Sequence, residues 1–303
     1  MRNFGVFIDI GNRASSFQAE LHTQVSSRIY RKVFRMFTDK DVQTFASDGA
    51  IVLRNLISPA WLKRIAAAIE RDIAEPAPYV HGYAATGGTG QFHGNLRVWE
   101  TDPDLREFCL HSDLPEMAAM ILGSGRINLL YDQLFVKEPG TPNPTRWHND
   151  QPYWPIRGRD VVSFWMSPDE VSKDSGALEF ISGSHKWGTM FQPERFGDTA
   201  AHDDYDRNPD YVDMPDIDAT RGDYDIVTWD LNPGDVYVFH AMTVHGAGGN
   251  LRNDVRRRGY AVRYVGDDIC YDGRPGTNEH LRSTDFADGD VLTGPRFPQA
   301  WPQ

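Results

Sequence analysis

The fold and the chemistry are decided by residues 146–155, which read Arg-Trp-His-Asn-Asp-Gln-Pro-Tyr-Trp-Pro. This stretch places an imidazole, His148, and a carboxylate, Asp150, two positions apart at the end of a β-type run. In an extended chain, residues i and i+2 point to the same face, so both groups can reach one metal ion. A His-x-Asp pair often occurs by chance, and its meaning therefore depends on the sequence around it.

A third candidate ligand, His245, lies much later in the chain, after a β-type run at 235–240 and before the turn-rich residues 246–250. Two histidines and one carboxylate form a facial set that leaves three adjacent positions of an octahedral metal open. A 2-oxo acid can fill two of these positions and dioxygen the third, whereas a structural zinc site is closed by four protein ligands. His185 and His240 are interpreted as hydrogen-bonded turn or core residues.

The sequence beyond Gly125 consists of short β-type runs separated by clusters of Gly, Pro, Asn and Asp. This rhythm predicts a mainly-β sandwich or barrel, with flanking helices in the N-terminal part. The predicted strands are 51–53, 128–137, 161–167, 177–181, 235–240 and 257–265. The predicted helices run from the cap Thr38 to Gly49, from the cap Ser58 to Pro76, and over about 104–122 with a break at Pro115.

The 303 residues are expected to form one main domain over 37–303, preceded by an N-terminal extension over 1–36. The interval 186–230 has few continuous apolar runs and is rich in Asp and Tyr, which is typical of a lid-like insertion. We expect its aromatic side chains to line a lid over an organic substrate. They are Phe191, Phe196, Tyr205, Tyr211 and Tyr224.

The composition excludes several functions. A formal net charge of −12 argues against nucleic acid or an anionic membrane surface as a partner, and no apolar run approaches the ~20 residues of a membrane span. Two cysteines, Cys109 and Cys270, are too few for a disulfide framework. The apolar run at 4–10 lacks the layout of a secretory signal, so we expect a cytoplasmic protein that acts on a small molecule.

The predicted strand at 257–265 places Arg257, Gly259, Ala261 and Arg263 on one face. An arginine at its start can form a bidentate pair with a carboxylate deep in the barrel, which a flexible lysine would hold less rigidly. From the residues alone, either Arg256 or Arg257 can serve.

Together these motifs resemble the phytanoyl-CoA dioxygenase-like branch of the iron(II)- and 2-oxoglutarate-dependent oxygenases, over about residues 37–265. The resemblance implies a double-stranded β-helix, a cupin-like jelly roll flanked by helices. It rests on the ordered blocks His148-Asn-Asp150, His245-Gly-Ala-Gly, Leu96-Arg-Val-Trp, Asp132-Gln-Leu-Phe-Val-Lys, Trp165, Gly176-Ala-Leu and Pro233-Gly-Asp. Ser182 departs from the family pattern, which has proline there, but it affects only a loop.

The resemblance also implies roles for single residues. His148, Asp150 and His245 would bind iron(II), and an arginine eleven or so positions after the last histidine would anchor the far carboxylate of 2-oxoglutarate. Strict counting selects Arg256, whereas strand register selects Arg257, which we prefer. The further co-substrate positions are Arg97, Gln133, Trp165 and Ala247, whose alternative interpretations include a surface arginine, a sheet-edge glutamine and a core tryptophan.

The implied activity is a dioxygenase reaction that consumes O2 and 2-oxoglutarate, releases succinate and CO2, and hydroxylates a small metabolite or natural-product intermediate. The interval 186–230 has no basic patch that would hold an acyl-CoA. Asp150 distinguishes the chain from related halogenases, which have a small residue at that position. Two alternatives remain open at this point: a zinc-type metal hydrolase using the same three ligands, and a non-catalytic jelly roll that binds a ligand without turnover.

Overall fold

In a computed structural model of the chain, residues 37–84, 90–194 and 206–303 are described. The helices are α1 Asp39–Asp48, α2 Pro59–Ala74, α3 Pro103–His111 and α4 Leu114–Leu122. The strands are β1 Ala50–Leu53, β2 Val80–Ala84, β3 Gln91–Leu96, β4 Ile127–Lys137, β5 Thr145–His148, β6 Ile156–Arg157, β7 Val161–Met166, β8 Leu178–Ile181, β9 Ile226–Thr228, β10 Val236–His240, β11 His245–Ala247, β12 Arg257–Val265, β13 Cys270–Tyr271 and β14 Gln299–Trp301.

The strands form two antiparallel sheets that face each other. The large sheet has the order β1-β10-β7-β12-β4-β3-β2, with β14 added to β4, and the small sheet has the order β5-β11-β8-β9. A separate pair, β6 and β13, lies outside both sheets. Chain neighbours such as β10 and β11 lie in different sheets, so the chain repeatedly crosses from one layer to the other. This arrangement is the jelly roll that the sequence predicts.

Alternation along each strand of the large sheet divides its side chains between two cores. In β7, Phe164 packs outward into the cluster that contains the helical residues Ile65 and Phe108, while Trp165 packs inward with Phe180 of the small sheet. Each such burial removes enough apolar surface to contribute about 1.5–3 kcal/mol. The helices therefore cover the outer face, and the inner face remains available for a site between the sheets.

The helix boundaries follow local sequence signals. Thr38 and Asp41 form the predicted capping box of α1, and Gly49 ends that helix with a left-handed φ of 78°. The predicted helix at 104–122 is two helices, α3 and α4, because the chain breaks at Ser112 and restarts with Pro115 in the first turn of α4.

The interval 186–230 adds β9 to the edge of the small sheet, where β9 pairs with β8. Phe191 is buried there in a cluster with Ile181 and Val244. Phe196, Tyr205 and the predicted extension over 1–36 lie outside the described residues. Within the part of the chain that the structure describes, no helix has the length and apolar character needed to cross a membrane.

Candidate metal centre

Three strand ends bring the candidate ligands together between the sheets. His148 ends β5 and His245 begins β11, and these two residues are directly paired across the small sheet. Asp150 follows β5, and its backbone N–H donates to the Ala241 carbonyl at 2.8 Å. The distant segments predicted to share a metal therefore do meet, because antiparallel pairing of β5 with β11 places the two imidazoles side by side.

The three side chains are close enough to share one ion. One ligand atom from each of His148, Asp150 and His245 lies within 4.8 Å of the others, and all three residues are buried. The Asp150 Oδ1 atom is 3.4 Å from the Nε2 of His148 and 4.0 Å from the Nε2 of His245. Such spacing suits donor atoms that surround a cation at about 2 Å each.

The outer ring nitrogens orient both imidazoles. The His148 Nδ1 lies 2.8 Å from the Arg146 carbonyl oxygen, and the His245 Nδ1 lies 2.9 Å from the Thr243 carbonyl oxygen. A carbonyl only accepts, so each Nδ1 carries a proton, and each Nε2 is the ring atom that faces the shared site. This donor set of two imidazole nitrogens and one carboxylate fits iron(II).

Electrostatics favour the same protonation states. Burial, assisted by the adjacent His148, lowers the pKa of His245 to about 3, so this ring is neutral at pH 7. Burial alone would raise the pKa of Asp150, but the Arg263 charge and the neighbouring imidazoles lower it below its usual value. Asp150 is therefore an anion, which is the state that a metal ligand requires.

The cluster opens into a cavity of about 750 Å³. Its inner wall is mainly aromatic, and its mouth is formed by β2 and by residues 276–282 of the C-terminal segment. The aromatic members are Phe92, Tyr131, Phe135, Tyr153, Trp154, Trp165 and Phe239. A concave, largely apolar space with a few buried polar groups is the usual setting for a small organic ligand.

The two candidate anchor arginines point in opposite directions. Arg257 is 2 % exposed and lines the cavity, with its guanidinium carbon 5.4 Å from the Trp165 ring centre. Arg256 points outward and pairs with Glu70 at 2.9 Å and Glu138 at 2.8 Å. Strand alternation therefore places Arg257, and not Arg256, in the cavity that contains the candidate metal site.

The remaining predicted co-substrate positions are divided. Gln133 and Trp165 both line the cavity. Ala247 belongs to the same buried cluster as Trp165 but borders a neighbouring recess of about 450 Å³. Arg97 is buried and donates to Glu100, and it is not among the described side chains that line the cavity. Its left-handed φ of 57° interrupts the alternation of β3, so its side chain does not continue the inward face.

Several cavity residues were not predicted as site residues. Arg263, at the far end of β12, lines the cavity although the sequence indicated only that it shares a face with Arg257. Residues 276–282 carry no periodic pattern and reach the mouth because their loop folds back along the barrel. Of the aromatics predicted to line a lid, the described ones are Phe191, Tyr211 and Tyr224, and none of them lines this cavity; Asp206 is the described insertion residue that does.

The other two histidines named from the sequence are hydrogen-bonded, as predicted. The His240 Nε2 lies 2.8 Å from the Arg159 carbonyl, and its Nδ1 accepts from the Met242 N–H. The His185 Nε2 lies 3.3 Å from the Ala46 carbonyl. Burial lowers the pKa of His240 to about 3 and that of His185 to about 4.

These histidines make the metal-free protein acid-sensitive. The unfolded chain binds a proton at each histidine near pH 6.5, whereas folded His240 stays neutral until about pH 3, so stability is complete above pH 6.5 and falls as pH decreases. In the His240→Gln variant, one fewer proton is taken up on unfolding. Its free energy of unfolding should therefore fall less steeply as pH decreases, by about 1.4 kcal/mol per pH unit between pH 6 and pH 4. Urea unfolding across that range measures it. The same slope in the variant would contradict it, and His280→Gln, at an exposed ring, is the control.

Comparison with known proteins agrees with this geometry. The phytanoyl-CoA dioxygenase (PhyH) family model matches residues 45–259. A probable phytanoyl-CoA dioxygenase from Caenorhabditis elegans is 26 % identical over 184 residues, a match that covers 58 % of this chain and 55 % of that protein.

Two solved structures show the same fold. The non-heme alpha ketoglutarate dependent carbocyclase SnoK from nogalamycin biosynthesis superposes with a TM-score of 0.69 at 23 % identity, covering 87 % of this chain and 96 % of its own. The epimerase SnoN, solved with Fe3+, alpha ketoglutarate and nogalamycin RO, superposes with a TM-score of 0.65 at 21 % identity, covering 86 % of this chain and 96 % of its own.

A jelly roll with a buried cluster of two histidines and one carboxylate is the arrangement of the non-haem iron(II) oxygenases. Within that class, the chain belongs to the phytanoyl-CoA dioxygenase (PhyH) family, whose model covers more than half of its length.

Proposed function

We propose that this dioxygenase hydroxylates a small organic metabolite or natural-product intermediate and converts 2-oxoglutarate to succinate and CO2. The observation that carries the proposal is the buried cluster of His148, Asp150 and His245, which opens into an aromatic cavity beside the inward-facing Arg257. Bound iron(II) supplies the activation of dioxygen. The protein supplies binding, orientation and exclusion of water.

Each proposed role follows from position. His148, Asp150 and His245 hold the metal, and Arg257 anchors the far carboxylate of 2-oxoglutarate by a charge-assisted hydrogen bond. Gln133 and Trp165 border the same space and are proposed to contact the co-substrate. Trp165 is held by stacking on Tyr237, with ring centres 5.5 Å apart, so it forms a rigid wall.

Substrate selection is proposed to depend on the cavity mouth. His81 of β2 and residues 276–282 border the opening, and the ring centres of Tyr79 and His280 lie 5.2 Å apart, which connects the two sides. The division into an extension over 1–36 and a domain over 37–303, the lid at 186–230 and the cytoplasmic location stay predictions. A protein of the proposed kind needs only a small-molecule substrate and its co-substrates as partners.

The test is anaerobic addition of iron(II) and 2-oxoglutarate to the metal-free protein. We expect a weak visible charge-transfer band, followed in air by succinate release that requires both 2-oxoglutarate and oxygen. A zinc-type hydrolase would instead turn over without either of these, and a non-catalytic jelly roll would bind ligands without releasing succinate. The absence of both the band and succinate would contradict the proposal.

A further inference from the structure

Arg263 is a second buried arginine in the cavity. It lies on the inward face of β12, and its side chain is 4 % exposed. Its guanidinium carbon lies 4.5 Å from the ring centre of Tyr131 and 5.5 Å from that of Trp154. These aromatic rings hold the cation in place without using its hydrogen-bond donors.

Two of the three donor nitrogens of Arg263 are buried without a partner among the described residues. Within residues 37–84, 90–194 and 206–303, neither its Nε nor its Nη1 has a hydrogen-bond partner. Its nearest acid is Asp150, whose Oδ2 is 3.7 Å from Nε, which is beyond hydrogen-bond length, and that oxygen also lacks a partner. A buried guanidinium with unpaired N–H groups is costly unless a ligand satisfies it.

Arg263 cannot share the proposed role of Arg257. The two residues are six positions apart on one strand, so their backbones are separated by about 20 Å. Arg263 lies beside the ligand Asp150, whereas Arg257 lies beside Trp165 at the other end of the cavity. A five-carbon dicarboxylate that chelates the metal and reaches Arg257 therefore extends away from Arg263.

Charge balance leaves Arg263 uncompensated in the loaded site. The formal charges of iron(II), the 2-oxoglutarate dianion, Asp150 and Arg257 cancel one another. Lys137 lies outside the cavity lining and donates to the Gly248 carbonyl at 2.7 Å, and burial lowers its pKa well below the usual value. The loaded cavity would therefore keep one buried positive charge, at Arg263.

The acids at the cavity mouth do not provide this compensation. Asp206 and Glu279 both border the cavity, but both are exposed to solvent, where water and salt screen their charges. Arg282, also at the mouth, is half-buried and donates to Thr277 at 2.8 Å. The buried guanidinium of Arg263 is therefore available to an anionic group of a bound ligand.

We propose that Arg263 binds a carboxylate of the organic substrate, on the side of the metal centre opposite the 2-oxoglutarate anchor. This inference rests on the proposed function and specifies its substrate class as a small organic acid. Tyr131 and Trp154 contact the guanidinium and also line the cavity, so the apolar body of such an acid would lie against aromatic walls.

Matched acids and amides test this assignment. The probes are phenylacetate with phenylacetamide, and cyclohexanecarboxylate with cyclohexanecarboxamide, which share shape and differ in charge. They are titrated by calorimetry into the anaerobic protein loaded with iron(II) and 2-oxoglutarate, while the charge-transfer band is recorded. We expect each acid to bind about tenfold or more tightly than its amide, because the charged hydrogen bond is lost in the amide.

Variants of two arginines on β12 test whether the preference for acids depends on Arg263. Arg263→Gln should bind acid and amide equally, and Arg263→Lys, which keeps the charge and the fold, should retain part of the preference. Arg258→Gln is the matched control, because Arg258 lies on the outer face and pairs with Asp169. This control should keep the full preference for the acids.

The outcomes that overturn the inference are distinct from failure of the proposed function. Equal binding of acids and amides by the wild-type protein, binding of neither, or a preference that persists in Arg263→Gln would each overturn it while the band confirms the metal centre. If Arg263→Gln loses the charge-transfer band and the wild type shows no acid preference, Arg263 only positions Asp150. That result also overturns the inference. Loss of the band in the wild type contradicts the proposed function instead.

Discussion

Replacing Asp150 by alanine is expected to abolish the charge-transfer band and to decrease succinate release by about two orders of magnitude or more. Mutating groups that merely orient metal ligands commonly costs 10–100-fold in metal affinity or activity, so removing a ligand itself should cost at least the upper end. The buried cluster would also lose its one anion and leave Arg263 without its nearest acid. Iron(II) affinity, measured by anaerobic titration, should fall together with activity.

His148→Ala should give the same result, because its Nε2 belongs to the same cluster, 3.4 Å from the Asp150 Oδ1. The matched control is His185→Gln, which changes a buried histidine that bonds a main-chain carbonyl away from the cluster. This control should bind iron(II) with wild-type affinity. Retention of succinate release by either ligand variant would refute the ligand assignment.

The strong periodic signals in the sequence predicted the elements that build the site. β12 alternates small or charged inward residues with outward ones, so once the strand begins at Arg257, pleating places Arg257 on the inward face with Arg263. His148 and Asp150 share a face for the same reason. Their meeting with His245 depends on the pairing of β5 with β11, which the sequence predicted through the resemblance and not through any local pattern.

The unpredicted parts are those in which tertiary contacts override local preference. β3, which contains His93 and Gly94, lacks a β-type composition and forms because it pairs with β4 along residues 133–137. The loop that leads to the cavity mouth is held partly by single side-chain bonds, such as those from Arg274 to the carbonyls of Gln151 and Ile156. Such side-chain to main-chain contacts leave no periodic signal, so the part of the cavity mouth formed by residues 276–282 was not predictable.

The position of the Arg97 side chain was not predictable from the motif that contains it. A motif aligns positions along the chain but does not report the backbone rotation at each one. The left-handed conformation of Arg97 turns its side chain to Glu100, at the point where β3 ends and a short 3-10 turn begins. A role for Arg97 in co-substrate binding therefore stays a prediction, and in the structure its buried guanidinium pairs with Glu100.

Arg257→Gln is expected to raise the KM for 2-oxoglutarate about 100-fold while iron(II) binding is kept. Removing one partner of a buried, hydrogen-bonded charge pair costs about 2–5 kcal/mol, and 100-fold corresponds to about 2.7 kcal/mol. Because the guanidinium is proposed to bind the far carboxylate and not the metal, saturating 2-oxoglutarate should restore most of the maximal rate. Succinate release at increasing co-substrate concentrations measures the split between KM and kcat.

The corresponding variant of Arg256 tests which of the two arginines anchors 2-oxoglutarate. Arg256→Gln removes an outward ion pair with Glu70 and Glu138, and its KM for 2-oxoglutarate should stay within about twofold of wild type because partly exposed pairs contribute little. Arg257 also donates to the carbonyls of Phe135 and Gly176, so Arg257→Lys serves as a milder variant that preserves the buried charge. It should raise the KM less than glutamine does, because an ammonium keeps the attraction but loses the two-pronged geometry. The reverse ranking of Arg256 and Arg257 would show that strict counting from His245, and not strand register, locates the anchor.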